Sequence, residues 1–281
     1  VTAVDAVTAD IRPGRVTAFI GANGSGKTTS MRALLGLITP TSGSALVNGQ
    51  PYRRLSRPTR VVGAVLDQGL HPNRTARAHL RIVAMQAGMP PAHADELLET
   101  MGLTAAADRR VGGFSLGMRQ RLLLAAAMVG DPTILVLDEP FNGLDPDGIQ
   151  STRTFLTDFA RSGGTVLLSS HLLSEIAHAA DDALVLDQGR LVGYGPLASL
   201  ATVPNAVVVT TPDATKLAGE LLRRGATVTT GAADDIVITG IDAYAIGRAA
   251  ADAGVAITGM RERADHLETI FRTLVHQEVA A

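Results

Sequence analysis

Val16-Thr17-Ala18-Phe19-Ile20-Gly21-Ala22-Asn23-Gly24-Ser25-Gly26-Lys27-Thr28 decides the fold. Its first five residues are mostly apolar and read as a short strand that feeds directly into a glycine-rich loop. Thr28 to Leu37 then reads as a helix, stopped by the turn Thr39-Pro40-Thr41-Ser42-Gly43. Strand, glycine loop and helix start, in that order, make a phosphate cradle. Glycine permits the dihedral angles and the close backbone approach, while N–H groups at a helix start attract anions. In such a loop Gly21, Asn23, Gly24, Ser25 and Gly26 surround the anion. Lys27 reaches the outer phosphates, Thr28 Oγ can join Mg²⁺, and Thr29 can bond the α-phosphate side.

A second motif matches the first. Ile134-Leu135-Val136-Leu137-Asp138-Glu139 is an apolar strand ending in two carboxylates. Asp138 stands where an indirect or water-mediated Mg²⁺ ligand belongs. Glu139 points differently and can polarise a water for in-line attack on a γ-phosphorus. Between the motifs lies a third stretch, Phe114-Ser115-Leu116-Gly117-Met118-Arg119-Gln120, which a simple nucleotide-binding protein does not need. Ser115 can cap a helix running to Val129, before Asp131-Pro132 stops it.

Outward from these motifs, Ser44 to Asn48 and Val61 to Leu66 read as strands. Residues 73–110 switch to helical periodicity, with helices expected at 75–88, 91–101 and 104–109. Further strands are expected at Thr133 to Leu137, Thr165 to Ser169 and Ala183 to Leu186, with helices at Ile149 to Ser162 and Ser174 to Ala180. Strands alternating with helices predict an α/β fold, a largely parallel sheet covered on both faces, interrupted by a helical insert at about 73–130. Near Pro204 the character changes. A strand at 206–211, a helix at 213–224, strands at 226–230 and 235–239, a helix at 242–253, a strand at 255–260 and a helix at 265–275 predict a small α/β domain of ferredoxin-like type. The expected division is therefore 1–203 and 204–281, the second part carrying no cluster of His, Asp or Glu with ligand spacing.

Composition narrows the class. The 281 residues suffice for one large and one smaller domain. A net charge of −2 gives no long-range attraction to nucleic acid, and none is expected as a partner. The cluster Arg53, Arg54, Arg57 and Arg60 reads as a solvated loop broken by Pro51 and Pro58, or else a local basic patch. No cysteine is present, which excludes disulfides, thiolate metal sites and cysteine catalysis. The longest apolar run, Leu122 to Val129, is far short of a membrane span, and no secretory signal is evident. The chain begins without Met in a pattern that reads as mid-domain, so further residues upstream are expected.

These motifs together resemble the ATP-binding subunits of ATP-binding cassette transporters, more narrowly the bacitracin- or lantibiotic-export type that works with a separate permease. Residues 114–120 resemble the family's signature motif. Asn142-Gly143-Leu144-Asp145-Pro146 resembles the loop that crosses its dimer interface, and Ser169-Ser170-His171 its switch-histidine segment. All stand in family order across residues 1 to about 200.

The resemblance implies a P-loop sandwich: a head-to-tail homodimer or pseudo-dimer closed over two ATP molecules with Mg²⁺. Ser115 and Gly117 would meet the γ-phosphate of the opposite site, Asp145 would link the two sites, and His171 would help Glu139 position the attacking water. It also implies an integral membrane permease, a peripheral place on the cytoplasmic face of the membrane, and export of a drug, peptide antibiotic or lipid-like molecule. The permease contact is expected near residues 67–100, with Leu70, Leu80 and Ile82 as exposed apolar candidates or as core of the helical insert.

Some positions depart from the family pattern. A glutamine that senses Mg²⁺ and the permease is matched by Asp67 with Gln68 next to it, and the role is assigned to that pair. The aromatic residue that stacks on adenine is absent from residues 1–20, so either it lies upstream or base binding is weaker. The signature reads Ser-Leu-Gly, and Phe141 stands where Thr is common. The alternative reading is a non-transport member of the family, a regulatory or ribosome-associated switch.

Overall fold

The computed structural model describes residues 2–66, 69–170, 173–200, 206–230 and 235–263. They fall into two compact units, the first ending at Leu197 and the second beginning at Ala198.

The first unit is built on β1 (Val16–Ile20), which leads through the glycine loop into α1 (Lys27–Leu34). A one-turn α2 (Pro58–Val61) enters β2 (Val62–Val65). The helical insert follows as α3 (Ala76–Gln86), α4 (Pro91–Thr100) and α5 (Leu116–Met128). The chain then alternates through β3 (Ile134–Leu137), α6 (Pro146–Arg161), β4 (Thr165–Ser170), α7 (Leu173–Ala179), β5 (Asp182–Asp187) and β6 (Arg190–Pro196), and a short α8 (Leu197–Leu200) begins at the boundary between the units. The strands form one sheet in the order β2-β3-β4-β1-β5-β6. The first five are parallel, and β6 returns antiparallel along β5.

β1, β4 and the first five residues of β5 are buried throughout, as expected of strands covered on both faces. Their N-terminal edge is pinned electrostatically. Asp182, only 2% exposed, accepts from Arg12 and from Arg15 Nε at 2.8 Å, while Asp181 accepts the Val16 N–H at 2.9 Å. In the insert, Thr75 caps α3 by accepting the Ala78 N–H at 3.1 Å, and Ala76, Leu80 and Ala84 form its buried stripe.

The second unit contains β7 (Ala206–Thr210), α9 (Ala214–Arg223), β8 (Thr227–Thr230), β9 (Asp235–Thr239), α10 (Ala243–Ala253) and β10 (Gly259–Arg263). Its antiparallel sheet runs β10-β7-β9-β8, the order of a ferredoxin-like βαββαβ unit. Val207 and Val209 on β7 and Ile236 and Ile238 on β9 share a core with Leu217 of α9 and Ile246 of α10.

The structure corrects several expectations. Residues 44–48 are not a strand: Val47 and Gln50 make only an isolated bridge around Asn48-Gly49, both at positive φ, and 44–46 find no ladder. The helix expected at 104–109 is a single 3₁₀ turn, Thr104–Ala106, because the chain turns back so that Ala107 O can accept the Arg77 N–H at 2.9 Å. α6 starts three residues early, since Asp145 caps it and Pro146 suits its first position. The last strand starts at Gly259 instead of 255, because Gly254 (φ +63°) closes α10 and Val255 folds back to bond Ala250 O. β6 was not expected. Its signal is the Gln188-Gly189 hairpin turn, with φ of +43° and +86°. The helix expected at 265–275 lies outside the described residues.

Candidate functional site

The functional side chains gather where β1, β3 and β4 end, the carboxyl edge where open parallel sheets bind ligands. β4 lies between β3 and β1 in the sheet. It therefore separates the carboxylates that follow β3 from the glycine loop that follows β1.

The loop has the shape of an anion cradle. Gly24 and Gly26 adopt φ of +85° and +106°, the left-handed region that side chains disfavour. At Gly21 the constraint is space: a Cβ there would stand 2.5 Å from the Leu186 carbonyl oxygen and against Ser25 Oγ. Ser25 is 4% exposed, and its Oγ finds no hydrogen-bond partner among the described residues. Lys27 is equally buried, and its Nζ donates to the carbonyls of Gly21 (2.7 Å) and Ala22 (3.1 Å). Burial pushes the Lys27 ammonium below its ordinary value, opposed by the charges of Glu139 and then Asp138. An ammonium, an orphaned hydroxyl and a close-walled glycine loop suit a polyphosphate.

Thr28 and Asp138 meet across the site, Thr28 Oγ1 donating to Asp138 Oδ2 at 2.6 Å. The other Asp138 oxygen accepts from Ser169 Oγ, which in turn accepts the Glu139 N–H at 2.9 Å. Glu139 turns at φ +50°, and its carbonyl accepts the Asn142 N–H at 3.1 Å. Among the described residues no group of three or more His, Cys, Asp or Glu could hold a metal by itself. A hydroxyl and one carboxylate fit Mg²⁺ when substrate phosphates and water complete its shell.

Ser115 is exposed at the start of α5, its Oγ accepting the Met118 N–H at 3.3 Å. Gly117 meets nothing nearer than Leu144 Cδ2, 3.9 Å from where a Cβ would stand, so its backbone is approachable. Asp145 caps α6, accepting the Gly148 N–H at 2.9 Å, and is exposed. Thr29 is half-buried in the first turn of α1. Asp67, Gln68 and His171 lie outside the described residues.

The sequence reading brought Lys27, Thr28, Asp138 and Glu139 to one site and missed Ser169 as a contributor. The available signal was a hydroxyl at the end of a strand neighbouring the one that carries the carboxylates. For Leu80 the second of its two readings holds: it is fully buried in α3, in the core of the insert, and offers no surface to a partner. Leu70 and Ile82 are half-buried. An apolar surface pocket of about 270 Å³ lies among Leu35, Leu37, Tyr52, Ala64 and Leu66, where Leu37 is 63% exposed.

Comparison with known proteins agrees with this geometry. The "ABC transporter" family profile matches residues 4–142, and a profile described as "Domain of unknown function (DUF8746)" matches residues 205–268. The lantibiotic transport ATP-binding protein SrtF of Streptococcus pyogenes is 38% identical over 192 residues, covering 68% of this chain and 83% of that protein. The bacitracin transport ATP-binding protein BcrA of Bacillus licheniformis is 40% identical over 193 residues, covering 67% of this chain and 63% of the relative. A solved structure, "Structure of ATP binding subunit of ABC transporter", superimposes with a TM-score of 0.63 at 29% identity, covering 70% of this chain and 85% of its own. No helix among the described residues is long and apolar enough to cross a membrane. The chain belongs to the ATP-binding subunits of ABC transporters and is an ATPase.

Proposed function

We propose that the chain powers an exporter of a drug, peptide antibiotic or lipid-like molecule by closing as a dimer over ATP at the cytoplasmic face of a membrane, coupled to a separate permease. The observation that carries this reading is the convergence of Lys27, Thr28, Asp138 and Glu139 at one sheet edge. The names of the relatives, a lantibiotic and a bacitracin transport protein, support the substrate class.

In this reading residues 1–203 are the ATPase domain and residues 204–281 an accessory domain. Gly21 to Gly26 wrap the phosphates with backbone N–H groups, with Asn23 at the rim. Lys27 exchanges its two loop carbonyls for the outer phosphates, and Thr29 bonds the α-phosphate side. Thr28 and Asp138 would hold Mg²⁺, which when bound neutralises phosphate charge. Glu139 polarises the attacking water, which loses a proton to its carboxylate as the water oxygen bonds the γ-phosphorus and the bond to the β,γ-bridging oxygen breaks, releasing phosphate and ADP. His171 steadies that water, and Asp67 or Gln68 senses the cation and the permease. Ser115 and Gly117 would reach the γ-phosphate of the partner copy, with Asp145 linking the two sites. The permease contact is assigned to the surface near residues 67–100. No observation favours the regulatory or ribosome-associated switch.

The test is to recover Glu139→Gln protein from gently solubilised cells with ATP present and identify its companions by mass spectrometry. A stoichiometric multi-spanning membrane protein is expected. A soluble assembly without one would overturn the transport reading.

A further inference from the structure

One buried hydroxyl stands between the two carboxylate residues of the site. We propose that Ser169 is a positioning residue for ATP hydrolysis, fixing Asp138 through its side chain and Glu139 through its backbone. The inference rests on the roles given to those two residues under Proposed function.

Ser169 is fully buried, at the penultimate position of β4. Leu168 pairs with Leu137 in the β3–β4 register, so Ser169 is level with Asp138 and one step from Glu139. A hydroxyl has one proton to donate and lone pairs to accept with. Ser169 uses both: it donates to Asp138 Oδ1 and accepts the Glu139 N–H at 2.9 Å. Alanine keeps the volume nearly unchanged but leaves a carboxylate oxygen and a backbone N–H short of a partner in a partly buried place.

Both bonds act on residues that need outside help. Asp138 is otherwise held through Thr28 on its second oxygen, and the same Thr28 hydroxyl is a candidate cation ligand. Ser169 is thus the hold on Asp138 that does not compete with the cation. Glu139 stands at φ +50°, a conformation a glutamate adopts only when its surroundings enforce it. Its backbone is fixed on one side by Ser169 and on the other by the Asn142 N–H at 3.1 Å. The Glu139 charge lies close enough to Lys27 to favour its protonation. Releasing the N–H loosens the backbone turn that carries Glu139.

The experiment compares wild type, Ser169→Ala, Ser169→Thr and Glu139→Gln as full chains. It measures thermal midpoint, kcat and KM for ATP, and the Mg²⁺ concentration that half-saturates binding of a fluorescent ATP analogue. Losing a group that orients a metal ligand typically costs about 10–100-fold. Ser169→Ala should lose kcat by that factor with KM for ATP changed by less than ~3-fold, and need about 10-fold more Mg²⁺ for binding. Ser169→Thr, which keeps the hydroxyl, should recover most of both. Unchanged kcat and Mg²⁺ dependence in Ser169→Ala would overturn the proposal. So would losses that follow the thermal midpoint, with Mg²⁺ dependence unmoved. If Ser169→Thr does not fold, the Mg²⁺ titration of Ser169→Ala alone decides. Wild-type turnover in Glu139→Gln would instead refute the underlying role of Glu139, a result separable from the Mg²⁺ shift at Ser169.

Discussion

Gly21→Ala is the substitution whose consequence the structure sets most tightly. Gly21 has no positive φ, so a side chain there brings no backbone strain, and the cost is purely one of space. The added Cβ would stand 2.5 Å from the Leu186 carbonyl oxygen, against an ordinary C···O contact of about 3.3 Å. Leu186 belongs to β5, where it pairs with Leu191 of β6 just past the last β1 pair at Val185, so the loop is expected to yield before the strand, by roughly 0.8 Å. A misplacement near 1 Å costs on the order of 100-fold in a reaction that depends on alignment, about 2.7 kcal/mol of transition-state binding. Gly24→Ala is the control from the same loop. Its Cβ meets nothing within 4 Å, so only the left-handed conformation (φ +85°) is penalised, by about 1–2 kcal/mol, in an exposed loop free to adjust. The assay is steady-state ATP hydrolysis with circular dichroism to check folding. Gly21→Ala should fold and lose about 100-fold in kcat/KM, more than Gly24→Ala. A folded Gly21→Ala enzyme with wild-type kcat/KM, or a Gly24→Ala enzyme harmed more, would refute the steric argument.

Leu80→Ala should destabilise the first unit by about 2–5 kcal/mol through the cavity it leaves, while Met85→Ala, 71% exposed on the same helix, should change stability by less than about 0.5 kcal/mol; urea unfolding checks both. Lys27 offers a prediction in pH. Burial lowers its value below an ordinary lysine's, so free protein sheds this proton at alkaline pH before the unfolded chain does. Folding stability attributable to Lys27 therefore rises as pH climbs from the lowered value to the ordinary one. Anionic phosphates restore the charge, so ATP binding in that window should take up protons. Calorimetry in buffers of different ionisation enthalpy checks the uptake, which Lys27→Gln should abolish.

The fold was legible wherever one residue pattern had a single physical outcome. Val16 to Ile20 followed by glycines could only end a strand in a phosphate loop, and Ile134 to Leu137 ended where the carboxylates began. The alternation after Pro204 predicted the order of elements from β7 to β10. What escaped depended on tertiary partners. Residues 44–48 look like a strand but lack a neighbour to ladder with, whereas Arg190–Pro196, with two glycines and a proline, becomes a strand because β5 pairs with it. Leu80 could face solvent or core by periodicity alone, and the helical insert decided for the core. In the site, the carboxylates and the lysine were visible from motif spacing. Ser169 was not, because its importance comes from lying beside Asp138 across a parallel strand pair far apart in sequence.

The central claim is that ATP closes two copies of this chain and that Glu139 is needed to reopen them. The most direct measurement is light scattering on the Glu139→Gln chain after gel filtration, with and without ATP and Mg²⁺, scoring the nucleotide retained. A monomer is expected without nucleotide, and a dimer retaining two ATP molecules with it. A chain that binds ATP yet stays monomeric at every protein concentration would contradict the claim.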